Sequence, residues 1–237
     1  MGYLLCIETG TSTCSVSLSK GSDVLELIET HDQGNNHAKT LTTSIQNVLK
    51  NSRVSADDLS AVVVSKGPGS YTGLRIGVSA AKGICYAASK PLIAIGSLDS
   101  MAYGAMEWSK KNLDSGEPDF FCPMIDARRL EVYTQLFDRN LKGVTSIEAK
   151  ILSENSFAEF LDSNRVLFFG NGSAKAQPII THPNAIYIDN FFPSARFMIP
   201  LAVERLKENL YEDVAYFEPL YLKEFVAIKS TKNVLGT

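Results

Sequence analysis

The chain has 237 residues and a formal net charge of −3, from 23 Lys plus Arg against 26 Asp plus Glu. Its 45% hydrophobic and 21% charged residues exclude disorder along the whole length, because there is enough apolar material to offset the entropy of ordering. The weakly acidic balance argues against a chain that grips nucleic acid through its own overall field.

Taken in chain order, the first segment alternates. Leu4 and Cys6, then Ser15-Val16-Ser17-Leu18, read as two strands joined by the hydroxyl-rich turn Glu8-Thr9-Gly10-Thr11-Ser12-Thr13. Val24 to Ile28 adds a third, which makes an antiparallel meander. The period then changes. Ala38, Leu41, Ile45, Val48 and Leu49 lie on one face of an amphipathic helix, with Asn35 or Asn36 as its cap. Ala61-Val62-Val63-Val64 is wholly apolar, the mark of a buried parallel strand. A glycine-rich loop follows, and a helix opens near Thr72 and runs to about Ser89. Leu92 to Ile95 is a strand, and Ser97 reads as the cap of a helix with Leu98, Met101, Ala102 and Ala105 inward.

The polar stretch Asn112 to Asp119 is the best boundary in the chain. After it the opening pattern returns: a strand over Phe120–Ile125, a turn at Asp126-Ala127-Arg128-Arg129, a strand over Glu131–Phe137, and a third strand near Val144–Ile147. A strand ending in Ile-acid-turn thus occurs twice, at Cys6-Ile7-Glu8 and Met124-Ile125-Asp126, which reads as an internal duplication. A short helix at Phe157–Leu161, a strand at Val166–Phe169, a turn at Gly170-Asn171-Gly172-Ser173 and a last helix over about Ala195–Asn209 complete the chain. Cys6, Cys14, Cys85 and Cys122 have neither disulfide nor zinc spacing and read as buried thiols of a reducing compartment. Glu8 follows the N-terminus too closely for a signal peptide, and no apolar run reaches membrane-spanning length.

Lys66-Gly67-Pro68-Gly69-Ser70-Tyr71-Thr72-Gly73-Leu74-Arg75-Ile76-Gly77 is the most informative segment. It follows a buried strand and opens a helix, yet its spacing fits neither a P-loop nor a dinucleotide fingerprint. Gly73, Gly77 and Ala81 then repeat at i, i+4 and i+8 and leave a stripe without side-chain bulk. Such a stripe serves either a tight contact inside the domain or a docking face for another subunit.

Ile7-Glu8-Thr9, the glycine segment, Ile125-Asp126-Ala127-Arg128 with Glu131-Val132-Tyr133, and Pro219-Leu220-Tyr221-Leu222-Lys223 together resemble the TsaB family. These are Gcp-like dimerisation subunits of the bacterial tRNA threonylcarbamoyladenosine machinery. The resemblance runs nearly end to end. It implies an α/β fold of the actin-like (hsp70, sugar kinase, actin) type, with two related lobes, each a three-strand antiparallel meander plus α/β units. The lobes are expected at 1–112 and 113–222, with the last helix packing back on the first lobe and 223–237 a loosely held tail. The resemblance implies a non-catalytic, cytoplasmic scaffold needed to place threonylcarbamoyl on N6 of adenosine 37. Its implied partners are the catalytic paralogue TsaD and the ATPase TsaE, with tRNA met only through the complex and no membrane contact. The two N-lobe helices would meet TsaD through Ala38, Leu41, Ile45, Thr72, Gly73, Arg75, Ile76, Gly77, Ala80, Ala81 and Ile84. On that reading, Gly77→Arg keeps the fold and abolishes assembly.

The catalytic paralogue carries a metal-binding H-x-x-x-H on its first helix. Here His37 stands with Leu41 at the second position, and His31 and His182 do not complete a set. Metal catalysis is therefore not expected, despite older protease-like naming of the family. Glu8 and Asp126 end the two equivalent strands, where actin-like ATPases place carboxylates around Mg-nucleotide. Thr9-Gly10-Thr11 lacks a basic or glycine-dense phosphate grip, so Glu8, Thr9, Thr11, Asp126, Arg128, Gly170 and Gly172 read as remnants of a nucleotide cleft. No resident cofactor is expected, with ATP or ADP and Mg at the complex interface left open. The opposing reading is an active actin-like ATPase or kinase using Glu8 and Asp126. A third is a self-dimer through the same helix stripe.

Overall fold

The computed structural model describes residues 2–31, 37–113 and 116–223. The candidate caps Asn35 and Asn36, and the expected tail beyond Lys223, lie outside the described residues. The first sheet is built from β1 (Tyr3–Glu8), β2 (Thr13–Lys20) and β3 (Asp23–His31), then α1 (His37–Ser52), β4 (Leu59–Ser65), α2 (Tyr71–Ala88) and β5 (Leu92–Ile95). Its order is β3-β2-β1-β4-β5, with β1 antiparallel to β2 and parallel to β4. After α3 (Ser97–Asn112) come β6 (Phe120–Asp126), β7 (Glu131–Thr134), β8 (Phe137–Asp138), β9 (Glu148–Ile151), α4 (Ala158–Leu161), β10 (Val166–Phe169), α5 (Ser173–Ala176), β11 (Ala185–Tyr187) and α6 (Ile199–Lys207). The main path of the second sheet reads β9-β7-β6-β10-β11. Order and strand direction therefore repeat those of the first sheet, and the duplication inferred from the two Ile-acid strand ends is a duplication of topology.

The apolar run in β4 is explained by burial on both faces. Successive side chains of a strand alternate. Val62 and Val64 join Leu41, Ile45, Val48 and Val78 under α1 and α2, while Ala61 and Val63 join Ala195, Met198, Ile199 and Ala202 on the opposite face. That second cover comes from α6 and the 3-10 turn Ala195–Met198 before it, so the last helix lies on the first sheet. The reverse holds for α3. It leaves the first sheet, yet Leu98, Met101, Ala102 and Ala105 pack with Phe121, Ile125, Leu167 and Phe169 of the second.

Local signals account for the helix ends. The Ser70 hydroxyl accepts the Gly73 N–H at 3.3 Å and opens α2. Ser89 takes a left-handed φ of 51° at its end, just before Pro91. All four cysteines are buried thiols, as expected.

Several expected elements are corrected. Ser97 is the first residue of α3 and not its cap; Gly96 holds the cap position, and the Ser97 N–H donates to Gly67 O at 2.9 Å. The strand expected over Glu131–Phe137 breaks into β7 and β8, and the third strand lies at 148–151 rather than 144–147. Val144 is instead held by its N–H donating to Leu136 O at 2.8 Å, and Thr145 by the Leu136 N–H reaching its hydroxyl at 3.0 Å. The last α-helix is shorter than expected and ends at Lys207, while α5 and β11 were not foreseen.

Because α6 covers a fully buried sheet face, Ala202→Glu should cost more than about 3 kcal/mol by placing an unpaired charge there. The exposed neighbour change Glu204→Ala should stay within about 0.5 kcal/mol. Urea denaturation of the two variants measures both.

Candidate functional site

The turn between β1 and β2 lies under the start of α2, and the glycines of α2 make that contact. A methyl at Gly73 would overlap Thr9 O, one at Gly77 would overlap Thr9 Oγ1, and one at Gly69 would overlap the Gly10 carbonyl. Only glycine permits this approach. Two hydrogen bonds hold it: Thr9 Oγ1 donates to Gly73 O at 2.8 Å, and the Ser70 N–H donates to Gly10 O at 2.6 Å.

The stripe of Gly73, Gly77 and Ala81 is thus buried inside the chain, which corrects its reading as an outward docking ridge. Leu41 and Ile45 are likewise core residues. Of the eleven expected interface positions, Ala38, Thr72 and Arg75 are exposed, and Ile76, Ala80 and Ile84 are half-buried on the edge of the core. Gly77→Arg would strike Thr9, so it tests the fold and not assembly.

The outward face of α2 runs instead through Thr72, Arg75, Ser79, Gly83 and Ala87, with Ile76, Ala80 and Ile84 beside it. A methyl at Gly83 would meet nothing within 4 Å. Sequence reasoning missed Ser79, Gly83 and Ala87. The signal was present in the successive steps of three or four residues along Thr72, Arg75, Ser79, Gly83 and Ala87, one step around the helix from the glycine stripe. Arg75 is anchored on this face, its guanidinium donating to the Tyr71 hydroxyl at 2.7 Å, and the Tyr71 ring lies 4.9 Å from that of Tyr221.

The contact that buries the stripe also seals Glu8. Its side chain has no solvent exposure, and Thr9 and Thr11 are buried beside it. Glu8 Oε1 accepts the Gly10 N–H at 2.6 Å, whereas Glu8 Oε2 and Ser97 Oγ have no hydrogen-bond partner. Burial pushes the Glu8 carboxyl up to about 7, against the opposing pull of the Gly10 amide and Ser65. Among the described residues no basic side chain is its hydrogen-bonding or ion-pair partner. Of the residues expected as the remnant of a nucleotide cleft, Glu8, Thr9 and Thr11 are therefore closed off from solvent in this structure.

On the other hairpin Asp126 is open to solvent. Its Oδ1 accepts the Arg128 N–H at 2.6 Å and the Lys175 ammonium at 2.6 Å, and its N–H donates to Asn171 Oδ1 at 3.0 Å. Arg128 is exposed. Gly170 and Gly172 are buried: a methyl at Gly170 would overlap Met124 O, and one at Gly172 would press on Val132. Their smallness serves packing on β6. Among the described residues no three His, Cys, Asp or Glu side chains converge as a metal site, and no helix is long and apolar enough to cross a membrane.

Two duplicated sheets of this order, with helices on both faces of the first, define an α/β protein of the actin-like fold. YeaZ from Pseudomonas aeruginosa superposes with a TM-score of 0.76 at 22% identity, covering 94% of this chain and 100% of that one. The chain belongs to the TsaB family. It is 30% identical to the tRNA threonylcarbamoyladenosine biosynthesis protein TsaB of Escherichia coli (strain K12), over 95% of this chain and 96% of that protein. It is 28% identical to the Haemophilus influenzae protein of the same name, over 95% of each. The family model for TsaD, the tRNA N6-adenosine threonylcarbamoyltransferase, matches residues 29–230.

Two predictions follow from the sealed turn. Gly77→Ala should destabilise by about 1–3 kcal/mol through the clash with Thr9. Gly83→Ala should stabilise by about 0.5–1 kcal/mol, since its methyl meets only solvent and helix propensity improves; thermal melts distinguish the two.

For Glu8 the folded value, about 7, lies above the ordinary glutamate value of 4.5. The folded state therefore holds a proton that the unfolded state has lost, and stability falls as pH rises through this window. At about 1.4 kcal/mol per unit the loss is about 3 kcal/mol by pH 8. Glu8→Gln should flatten this slope in denaturation curves taken from pH 5 to 8.

Proposed function

We propose that the chain is a non-catalytic scaffold subunit in the formation of N6-threonylcarbamoyladenosine at position 37 of tRNA. It pairs with the catalytic paralogue TsaD through the outer faces of α1 and α2, in the cytoplasm, with the ATPase TsaE completing the assembly. The names of its relatives supply the pathway. The sealed state of Glu8 carries the scaffold reading. A carboxylate closed beneath the glycines of α2 cannot organise a metal or a phosphate unless the helix lifts away. A second support is Leu41, which stands where the catalytic paralogue's second histidine is expected and is 1% exposed in the first core. A ligand there would point into the sheet. ATP or ADP with Mg then belongs at the boundary with TsaD rather than between this chain's own hairpins.

The outer face of α2 suits close helix packing because Ser79, Ala80, Gly83 and Ala87 lack bulk. Ile76 and Ile84 offer apolar area at its edge. A self-dimer through the same face is the competing occupant when TsaD is absent.

Gly83→Arg adds bulk where only solvent stands, so it should leave the melting temperature within a few degrees of the parent. It should also abolish co-purification with TsaD from the same organism. Retained co-purification would sink this docking face. ATP turnover above about 1 per second by the chain alone, lost in Glu8→Ala, would favour the enzyme reading instead.

A further inference from the structure

The two hairpins made equivalent by the duplication are finished in opposite ways. Residues 9–11 of the first are uncharged and buried under α2. The second, Ala127 to Leu130 between β6 and β7, stands at the surface with Arg128, Arg129 and Leu130 all exposed. Arg128 and Arg129 both hold left-handed backbones, with φ of 72° and 50°. Glycine or asparagine takes that conformation at far less cost than arginine. The turn is nevertheless well held: the Ala127 N–H donates to Glu131 O at 3.0 Å, and the Glu131 N–H donates to Arg128 O at 3.1 Å.

The carboxylates at its base are engaged with other cations. Asp126 pairs with Lys175, and Glu131 with Lys223. Neither the Arg128 nor the Arg129 guanidinium has a hydrogen-bond or ion-pair partner among the described residues. Arg128, Arg129, Lys175 and Lys223 against Asp126 and Glu131 leave a local balance of 4 − 2 = +2, on a chain whose total is −3. Backbone conformation and charge are thus both disposed against the easiest turn, and their common result is two consecutive exposed arginines whose guanidiniums have no partner among the described residues. Guanidinium pairs match the oxygens of phosphodiesters in geometry and in charge.

We propose that the Arg128–Arg129 hairpin is a contact for an RNA phosphate backbone, that of the tRNA on which the assembly works. This rests on the pathway reading above and gives this chain a tRNA-facing surface of its own, distinct from α1 and α2.

The double variant Arg128→Gly/Arg129→Gly suits the left-handed turn, so its melting temperature should equal or exceed the parent's. Binding of an unmodified tRNA transcript is read by fluorescence anisotropy from 50 to 200 mM KCl, with the full chain alone and with TsaD. Loss of two phosphate contacts should weaken binding at least tenfold at 50 mM and make the slope of log affinity against log salt shallower by about 1.5. Arg128→Lys/Arg129→Lys should keep the parent slope. Equal affinity and slope in parent and glycine variant would overturn the proposal, as would a parent that binds no tRNA in either setting. Loss of fluorescent-ATP binding with tRNA binding unchanged would mark a small-phosphate site, and loss of TsaD co-purification alone would mark an acidic protein surface; each also overturns it. If the parent fails to co-purify with TsaD while the hairpin still governs tRNA binding, the scaffold reading fails and this one stands.

Discussion

The close approach of the Thr9–Gly10 backbone to Gly69, Gly73 and Gly77 governs the first lobe. At Gly69 and Gly73 it is a contact of main chain against main chain, and at Gly77 the Thr9 side chain fills the space. The hydrogen bonds Thr9 Oγ1 to Gly73 O and Ser70 N–H to Gly10 O lock its register. One consequence is chemical. The acid at the end of β1 loses contact with water and keeps an oxygen without a partner. The other is geometric: once the glycine stripe faces inward, the helix phase turns Ser79, Gly83 and Ala87 outward.

The second lobe repeats the strand order but not this closure. Gly170 and Gly172 pack on Met124 and Ile125 of β6, while Asp126 stays in solvent with a lysine against it. The same ancestral hairpin has therefore been used once as an internal plug and once as an exposed tip. Glu8 and Asp126 occupy equivalent strand ends, and they differ in burial and in the lysine that Asp126 has.

Much of this architecture was readable in the residues because it rests on local periodicity. The uninterrupted apolar run of β4 announced a strand covered on both faces. Leu41, Ile45 and Val48 announced the buried side of α1, and the two Ile-acid strand ends announced the repeat. What was not readable depended on partners distant in sequence. A small-residue stripe says that a backbone comes close without saying whose, so Gly73 and Gly77 pointed to another subunit when the partner was Thr9. Ser97 has the chemistry of a cap, but its amide is claimed by Gly67 O and Gly96 takes the position. Val144 to Ile147 are apolar enough for a strand, yet the Val144 N–H donates to Leu136 O and the Thr145 hydroxyl accepts from the Leu136 N–H, which holds both in a loop, and pairing with β7 begins only at Glu148. At three residues, β11 is too short to show a period.

The crossed placement of α3 and α6 has a consequence for the molecule as a whole. Each sheet borrows a cover from the opposite half of the polypeptide, like two hands clasped with one finger exchanged. Neither half is autonomous, because cutting the chain between them would strip a wall from both.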